Sequence, residues 1–223
     1  MTLLERVPFL AALPPDDLRW LGERVRRRRF ARGDLIFQKD DPGQSLFIIE
    51  SGAVRIYVPG PQGADLTLAV MGEGDFFGDM SLLDGRPRSA SAAAATNAVL
   101  LSLERSDFSS LLQSRPDAAM SVLAVIARRL RDSDQMASDL AFLDVSGRLA
   151  RRLLDLSATN GVQREDGVLL QVTLTQEELA NMIGVTRESV NRNLSMFRRL
   201  GLIAREGRKI ILRNPSGLRA YCE

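Results

Sequence analysis

The sequence predicts an α+β fold in which a β-rich N-terminal domain, one long helix and a small C-terminal domain of helices and strands follow one another. Short β-rich runs separated by glycines recur between residues 30 and 103. Apolar residues then recur in steps of four and three through residues 119–140, and two short helical segments joined by a glycine lie within residues 175–194. We therefore expect domains at residues 1–115, 116–143 and 144–223.

Composition limits the class of protein. The chain has 223 residues, of which 45% are hydrophobic and 26% charged, as in soluble globular proteins. The N-terminus lacks a basic segment followed by an apolar one, and no apolar run approaches the roughly 18 residues of a membrane span. We expect a cytoplasmic protein with no membrane partner. The single cysteine, Cys222, cannot form an internal disulfide, which suits a reducing compartment.

The chain contains no histidine. Histidine general bases, haem histidines and mixed cysteine–histidine zinc sites are thereby removed, so neither an enzyme acting on a phosphodiester nor a haem or iron–sulfur sensor is supported. We expect no catalytic residues, no metal and no cofactor. Residues 141–223 hold 13 Lys and Arg against 9 Asp and Glu, whereas residues 1–140 hold 17 against 19. The positive C-terminal part is compatible with a polyanionic partner.

The N-terminal domain begins with a short helix and a charge run. Prolines and aspartates precede apolar residues at 13–21, which predicts a helix entry. The four arginines at 26–29 lead into a strand-like segment, so we interpret them as a solvated face rather than a nucleic-acid site. Strands are predicted at residues 46–49, 54–58, 66–71, 90–94 and 99–103. Many short strands at this spacing indicate a sandwich or roll.

The segment 77–90 combines turn glycines, a carboxylate, a proline and two arginines. A phosphodiester needs a guanidinium, a hydroxyl donor and close backbone N–H groups, which Arg88, Ser89 and the backbone near Gly78 offer. Asp79 can accept a hydrogen bond from a ribose hydroxyl. The alternative is an ordinary glycine- and proline-containing surface loop with solvated arginines.

The long helix carries a heptad pattern. Its members are Ala119, Leu123, Ile126, Leu130, Ser133, Ala137 and Leu140. The pattern predicts that two copies of the helix pair in parallel as a coiled coil. Ser133 is polar where leucine would pack better, as is found where register or a ligand is specified. Three heptads are the minimum for such a seam, and the alternative is a single amphipathic helix packed on its own domain.

The C-terminal domain has the capping signals of a helix-turn-helix. We predict a helix at residues 149–156, a loop at 159–167 and a strand at 169–174. Thr175 and Glu178 then form a capping box, Gly184 ends that helix, and Thr186 starts the next one with Ser189 three residues on. Two short helices joined by a glycine-containing turn make a helix-turn-helix.

The second of these helices resembles a base-reading helix in its arrangement. Arg187, Glu188, Asn191 and Arg192 share one face and the N-terminal end, with which such a helix reads base edges. The apolar residues at helical spacing, predicted to be core, are Leu179, Ile183, Val190 and Leu194. Residues 202–212 predict a hairpin that turns at Glu206 and Gly207, a wing on which Arg208 and Lys209 would contact phosphates.

These motifs resemble those of the Crp/Fnr superfamily of transcription regulators, nearest to its cyclic AMP receptor branch. Gly78, the run 80–82 and the run 88–90 are similar to the phosphate-binding cassette of the cyclic-nucleotide-binding domain, and residues 43–52 resemble the first signature of that β-roll. Residues 127–130 and 140–148 resemble the family's dimerisation helix and hinge, and residues 175–212 its winged helix. This chain departs from the family's sequence pattern at two positions. The family usually has Glu where this chain has Asp79, and Asn191 is not the family's usual residue.

The resemblance implies a double-stranded β-roll, a long dimerisation helix and a winged helix-turn-helix. It implies a bacterial, homodimeric regulator controlled allosterically by cyclic AMP, which binds palindromic DNA with TGTGA-like half-sites and contacts RNA polymerase through the segment 159–167. The implied ligand residues are Gly78, Asp79, Met80, Ser81, Arg88, Ser89, Ala90, Arg129, Ser133 and Asp134. The implied DNA-binding residues are Thr175, Gln176, Thr186, Arg187, Glu188, Ser189, Asn191, Arg192, Arg208 and Lys209.

Two alternatives stay open. Asp79 is one methylene shorter than Glu, so the effector can instead be cyclic GMP or cyclic di-GMP, or the regulator can be independent of a ligand. Asp134 can accept a bond from an adenine amino group, or it can be a solvated carboxylate beside Arg131.

Overall fold

The computed structural model describes residues 13–60 and 65–222 together with Leu4, Val7, Leu10 and Ala11. The chain divides into two compact units. One is formed by residues 1–59 and 67–131, the other by residues 60–66 and 132–223.

The first unit is built on two four-stranded sheets. The strands are β1 Arg26–Phe30, β2 Leu35–Phe37, β3 Ser45–Ser51, β4 Val54–Pro59, β5 Asp65–Met71, β6 Phe76–Phe77, β7 Ser91–Ala94 and β8 Ala98–Glu104. One sheet has the order β1-β8-β3-β6 and the other β2-β7-β4-β5. This arrangement confirms the predicted roll, and each predicted strand lies within or next to an observed one.

Strand β3 serves two hydrophobic cores. Successive side chains of a strand point to opposite faces. Phe47 and Ile49 therefore enter a core shared with the other sheet, whereas Leu46 and Ile48 enter a core that also holds apolar residues of the helices. Both faces of this strand are covered, which explains why its sequence is a continuous apolar run rather than an alternating one.

The arginines of β1 form an exposed edge of the first sheet. All four side chains at 26–29 are exposed, and β1 pairs only with β8 in the described sheet. Arg27 bonds to Glu50. Charged side chains on an edge strand discourage pairing with other chains. The exposure of these arginines agrees with a solvated face, which stays a prediction.

The helices of this unit pack on one side of the roll. They are α1 Pro15–Gly22, α2 Asp79–Asp84, α3 Arg105–Ser114 and α4 Pro116–Phe142, the last of which continues into the second unit. On α4, Ala118, Val122 and Val125 are buried in the core of the first unit, whereas Leu123 and Leu130 on the heptad face are 56% and 60% exposed. Helix α4 thus packs on its own unit through one face. Of the heptad positions, Ile126 packs against this core, whereas Leu123 and Leu130 stay exposed.

The second unit combines five helical segments with a four-stranded sheet. After the end of α4 come α5 Val145–Asn160, β9 Gly161–Arg164, β10 Gly167–Leu170, α6 Gln176–Ile183, α7 Arg187–Arg199, β11 Ile203–Glu206, β12 Lys209–Leu212, α8 Pro215–Arg219 and a 3-10 turn at Ala220–Cys222. The sheet order is β11-β12-β10-β9. In the described part of the chain, no helix is both long and apolar enough to span a membrane.

Three sequence predictions in this unit need correction. The segment 159–167 is not a loop, because residues 161–164 form β9 and pair with β10 across a two-residue turn. The predicted strand at 169–174 starts earlier and is shorter, because the residues that pair with β9 are 167–170. The wing turns at Gly207 and Arg208, one residue later than predicted, since Glu206 pairs with Lys209.

Candidate functional site

The turn from β6 into α2 requires a glycine. Gly78 has a φ of 81°, in the left-handed region that side chains disfavour. A Cβ at this position would lie 2.6 Å from Nη1 of Arg88. The glycine therefore lets the backbone approach the guanidinium closely, as the predicted phosphate cassette demands.

Arg88 is the buried cation of this segment. It is 5% exposed, its Nη1 donates to the carbonyl oxygen of Gly78 and its Nη2 to that of Ser45, both over 2.6 Å, and it stacks 4.2 Å from the ring centre of Phe37. Its Nε is buried without a hydrogen-bond partner among the described residues. Burial lowers the pKa of Arg88, and the carboxylate of Asp79 acts in the opposite direction. The guanidinium still carries its charge at neutral pH.

Asp79 is the buried carboxylate near Arg88. Its side chain is 2% exposed, and Oδ1 accepts a hydrogen bond from Arg129 Nη1 over 3.0 Å. Arg129, on α4, also donates to the carbonyl oxygen of Phe76 and lies 4.8 Å from the centre of its ring. Oδ2 of Asp79 is buried without a hydrogen-bond partner among the described residues. An unpaired buried acceptor is typical of a site that awaits a donor.

The remaining cassette residues divide between interior and surface. Ser81 and Ala90 are buried, whereas Met80 and Ser89 are exposed, with Ser89 Oγ 3.6 Å from the Met80 sulfur. A Cβ at Gly43 would lie 2.3 Å from the Ser81 Cβ, so the glycine allows its loop to touch helix α2. The hydroxyl of Ser89 is thus the accessible donor of the cassette.

Sequence reasoning missed Arg105. This residue begins α3 and is half-buried, and its guanidinium donates to the carbonyl oxygens of Gly43, Ser81 and Leu82 over 2.8, 2.7 and 3.0 Å. A cation at the end of a short helix satisfies carbonyls that the helix leaves free. Arg105 therefore fixes α2 against the loop at Gly43, and a lone arginine after a strand gave no signal of this role.

Ser133 and Asp134 lie on an exposed stretch of α4 that belongs to the second unit. Their predicted contacts with a ligand held by the cassette stay a prediction. Among the described residues, no group of three or more Asp, Glu or Cys side chains is arranged to hold a metal ion.

The helix-turn-helix has the capping geometry that the sequence predicted. The backbone N–H of Thr175 donates to Glu178, whose own N–H donates to Thr175 Oγ1, which completes the capping box. Gly184 ends α6 with a φ of 66°. Thr186 then accepts from the N–H of Ser189 and caps α7. The predicted helix-turn-helix is confirmed.

Helix α7 separates its core face from its charged face. Val190, Leu194 and Phe197 are at most 4% exposed, as are Leu179 and Ile183 of α6. The exposed residues of the opposite face are Arg187, Glu188, Asn191 and Arg192. Burial of one face holds the helix in place while the other face is free to enter a groove of DNA.

Two contacts of α5 set the position of the helix-turn-helix. Asp144 caps α5 by accepting from the N–H of Gly147 over 2.8 Å, and its bond from Ser146 is the chief cause that lowers the pKa of Asp144. One turn further, Arg148 donates to the carbonyl oxygen of Ile183 at the end of α6 over 3.1 Å. The start of α5 is thereby tied to the turn between α6 and α7.

The two predicted phosphate contacts of the wing differ in exposure. Arg208 is exposed at its tip, whereas Lys209 is half-buried and its Nζ donates to Gln171 over 3.3 Å. Glu206 bonds to Arg164 of β9 over 2.8 Å, which links the two ends of the sheet. Of the two predicted phosphate contacts, Arg208 is the more accessible.

Comparison with known proteins covers nearly the whole chain. The family model "cyclic nucleotide-binding domain" matches residues 27–115, and the model "Crp-like helix-turn-helix domain" matches residues 147–221. The chain is 36% identical over 218 residues to the "CRP-like cAMP-activated global transcriptional regulator" of Mycobacterium tuberculosis, which is 97% of this chain and 96% of that protein. It is 36% identical over 196 residues to the "cyclic AMP receptor protein" of Thermus thermophilus, 88% of each.

This chain is similar to a solved structure over most of the length of both chains. The "c-di-GMP responsive global regulator CLP" of Xanthomonas campestris aligns with a TM-score of 0.79 and 27% identity, and the match covers 89% of this chain and 99% of that one. The first and the last of these proteins are named as regulators.

Proposed function

The chain belongs to the Crp/Fnr family of cyclic-nucleotide-responsive, DNA-binding transcription regulators, and from that membership we propose that it is a homodimer that cyclic AMP shifts into its high-affinity state for DNA. The operator is a palindrome with TGTGA-like half-sites.

The observation that carries the proposal is the placement of Arg88 next to Asp79. A cyclic nucleotide brings one phosphodiester anion and one ribose hydroxyl close together. Arg88 offers a buried charge, and Asp79 offers the acceptor Oδ2, which has no hydrogen-bond partner among the described residues. Charge-assisted hydrogen bonds of this kind are the strong ones. The exposed hydroxyl of Ser89 supplies a further donor for the phosphate.

Arg129 connects this pocket to the helix that would pair the subunits. It holds Asp79 from α4, one turn before Ser133. In the proposed dimer, Ser133 and Asp134 contact the adenine base, one from each subunit, so the ligand touches both chains. A ligand controls DNA binding only if it binds the DNA-competent state more tightly, typically by about 1–3 kcal/mol of coupling.

The exposed heptad face of α4 supports the dimer. Leu123, Leu130 and Leu140 remain 40% or more exposed in the single chain, and burial of such side chains is the usual driving force for helix pairing. A two-fold axis along this seam would present two α7 helices to half-sites about one helical turn apart.

The first experiment is calorimetric titration of the purified protein with cyclic AMP. DNA-binding anisotropy on a TGTGA…TCACA duplex follows at one fixed salt concentration, with and without ligand. We expect binding that tightens DNA affinity in the wild-type protein and is lost in Arg88→Ala, whereas Arg86→Ala, which removes an exposed arginine two positions away, behaves like wild type. Wild-type protein that ignores cyclic AMP in both assays would refute the effector assignment.

A second effector is favoured by one observation. Asp79 is shorter than the usual Glu and is already engaged by Arg129, and the similar structure from Xanthomonas campestris is named as responsive to cyclic di-GMP. Titration with cyclic GMP and cyclic di-GMP beside cyclic AMP separates these ligands. Unchanged DNA affinity with all three would mean that this regulator works without them.

We also propose RNA polymerase as a partner, through the segment 159–167, which contains β9. All four residues of β9 are exposed, and its outer edge is unpaired in the described sheet. We place the protein in the bacterial cytoplasm on the same ground, since its proposed DNA target and the polymerase are there.

A further inference from the structure

On the charged face of α7, the side-chain oxygen of Asn191 already accepts a hydrogen bond. Asn191 lies between Glu188 and Arg192 on that face, and its Oδ1 accepts a hydrogen bond from Gln176 Nε2 over 3.3 Å. Gln176 is the first residue of α6 and is half-buried. The two helices of the helix-turn-helix are thus joined by a side-chain bond on the surface that carries the proposed DNA contacts.

The surroundings fix which end of the Asn191 amide points inward. Gln176 and Asn191 line one small cleft with the buried apolar residues Leu194, Ile203 and Ile210 and with the arginines Arg198 and Arg205. Arginine side chains only donate hydrogen bonds, and the apolar side chains offer no partner. An amide oxygen is therefore satisfied on this side, whereas an amide NH2 turned inward would meet mostly donors.

We propose that Asn191 reads one base pair of the operator through its Nδ2 donor alone, and that Gln176 holds it in that orientation. A free asparagine pairs with adenine in a bidentate manner, because Oδ1 accepts from N6 while Nδ2 donates to N7. Because Oδ1 is turned toward Gln176 and the cleft, Nδ2 is the end of the amide that is presented to a base. Guanine, adenine and thymine each offer this donor a major-groove acceptor, whereas cytosine offers only a donor. Adenine loses the second bond that would favour it over guanine, so we expect no preference for adenine over guanine and discrimination against cytosine.

This inference rests on the proposed DNA-binding function but not on the TGTGA half-site. Selection from a random duplex pool first defines the site that the wild-type protein itself prefers. A site other than TGTGA would contradict the half-site proposal and leave the test below intact. If no sequence is enriched, the DNA-binding proposal and this inference both fall.

The test scans every base pair of the selected half-site and its flanks. Each pair is changed symmetrically to the other three, and dissociation constants are measured by anisotropy at one salt concentration for the wild type, Asn191→Ala and Gln176→Ala. In Asn191→Ala we expect the ratio of dissociation constants between the disfavoured and the preferred base at one pair to fall by about fivefold. This is the effect of losing one base contact. In Gln176→Ala we expect that same pair to shift toward adenine, because Oδ1 is released.

The chain offers a matched control in Asn193. This asparagine is two residues further along α7, half-buried, and its Nδ2 donates to the carbonyl oxygen of Ser189 in its own helix over 2.9 Å. Asn193→Ala should leave the base preference of every pair unchanged. Unaltered preferences in Asn191→Ala overturn the proposal. So does a wild-type preference for adenine over guanine, or for cytosine, at the base that faces Asn191, or a Gln176→Ala profile identical to that of the wild type.

Discussion

The guanidinium of Arg129 on α4 donates to Oδ1 of Asp79 at the start of α2 over 3.0 Å, across 50 positions of sequence. The same guanidinium bonds to the carbonyl oxygen of Phe76, the first residue of β6. A carboxylate that is 2% exposed is therefore balanced by a cation from the long helix. This pair links the pocket for the proposed ligand to the helix for the proposed dimer.

Removal of Arg129 should destabilise the first unit. Arg129→Ala leaves Asp79 buried without its cation, and we expect the free energy of unfolding in urea to fall by about 1–3 kcal/mol. Arg128→Ala, which removes the exposed neighbouring arginine, should have little effect. Asp79→Asn should relieve part of the cost in the Arg129→Ala background, because a neutral amide needs no counter-charge. Strictly additive effects of the two changes would show that the pair does not interact.

Replacement of Asp79 by the family's usual residue should tighten the nucleotide complex. Asp79→Glu adds one methylene, which carries the carboxylate closer to a ribose hydroxyl, and we expect a lower calorimetric dissociation constant for cyclic AMP. The extra methylene in a buried site should at the same time cost about 1–3 kcal/mol of stability. Asp79→Asn, of unchanged length but uncharged, should weaken binding. If Glu and Asn at this position bind cyclic AMP equally well, the carboxylate does not contact the ligand.

Arg105 is not a proposed ligand contact, but its removal should destabilise the cassette. Arg105→Ala removes three hydrogen bonds to the carbonyl oxygens of Gly43, Ser81 and Leu82, and we expect a loss of about 2 kcal/mol in unfolding free energy and weaker cyclic AMP binding. Arg105→Lys keeps the charge but not the fork of donors and should fall between wild type and Ala. Full ligand affinity in a destabilised Arg105→Ala protein would separate stability from positioning and count against this role.

The helix-turn-helix was predictable because its signals are local. Thr175, Glu178, Gly184 and Thr186 each mark a helix end through their own chemistry, and the apolar spacing identifies the buried face. Strand β9 was missed for the opposite reason. Residues 161–164 are all exposed, so no alternation of apolar and polar residues marks them, and only the partner strand β10 makes them a strand.

The long-range contacts of the cassette could not be predicted from the sequence either. The roles of Gly78 and Arg88 follow from a motif within eleven positions, but the bond from Arg129 to Asp79 and the three bonds of Arg105 join segments that only the folded roll brings together. Neither arginine belongs to a periodic pattern that would indicate its partner. Asn191 shows the same limit, since its residue type suggested a base contact while only the folded structure shows its bond to Gln176.

The cap of α5 should give the stability of the second unit a defined pH dependence. The bonds from Ser146 and Gly147 lower the pKa of Asp144, so its contribution is complete above the ordinary aspartate pKa of about 3.9 and is lost as the pH falls through the lower folded-state value. Asp144→Ala should cost about 1 kcal/mol at neutral pH, and this difference in urea unfolding should shrink in acid. Glu165→Ala, in the exposed turn after β9, serves as the control. A difference that is constant from neutral pH into acid would exclude the ionised cap.

A charge on the exposed heptad face of α4 should disrupt the proposed dimer. Leu130→Glu places a charge at a seam position that is 60% exposed in the single chain, so the fold should survive while the proposed dimer loses two buried leucines and gains two facing carboxylates. Each buried leucine contributes about 1.5–3 kcal/mol, so we expect at least a roughly hundredfold weaker dimer. Sedimentation velocity should show monomers, and affinity for a palindromic duplex should fall. Ala124→Glu puts the same charge on an exposed position of α4 that faces away from the seam in the heptad, and this variant should remain dimeric. Monomers in both variants, or in neither, would rule out this face as the subunit contact.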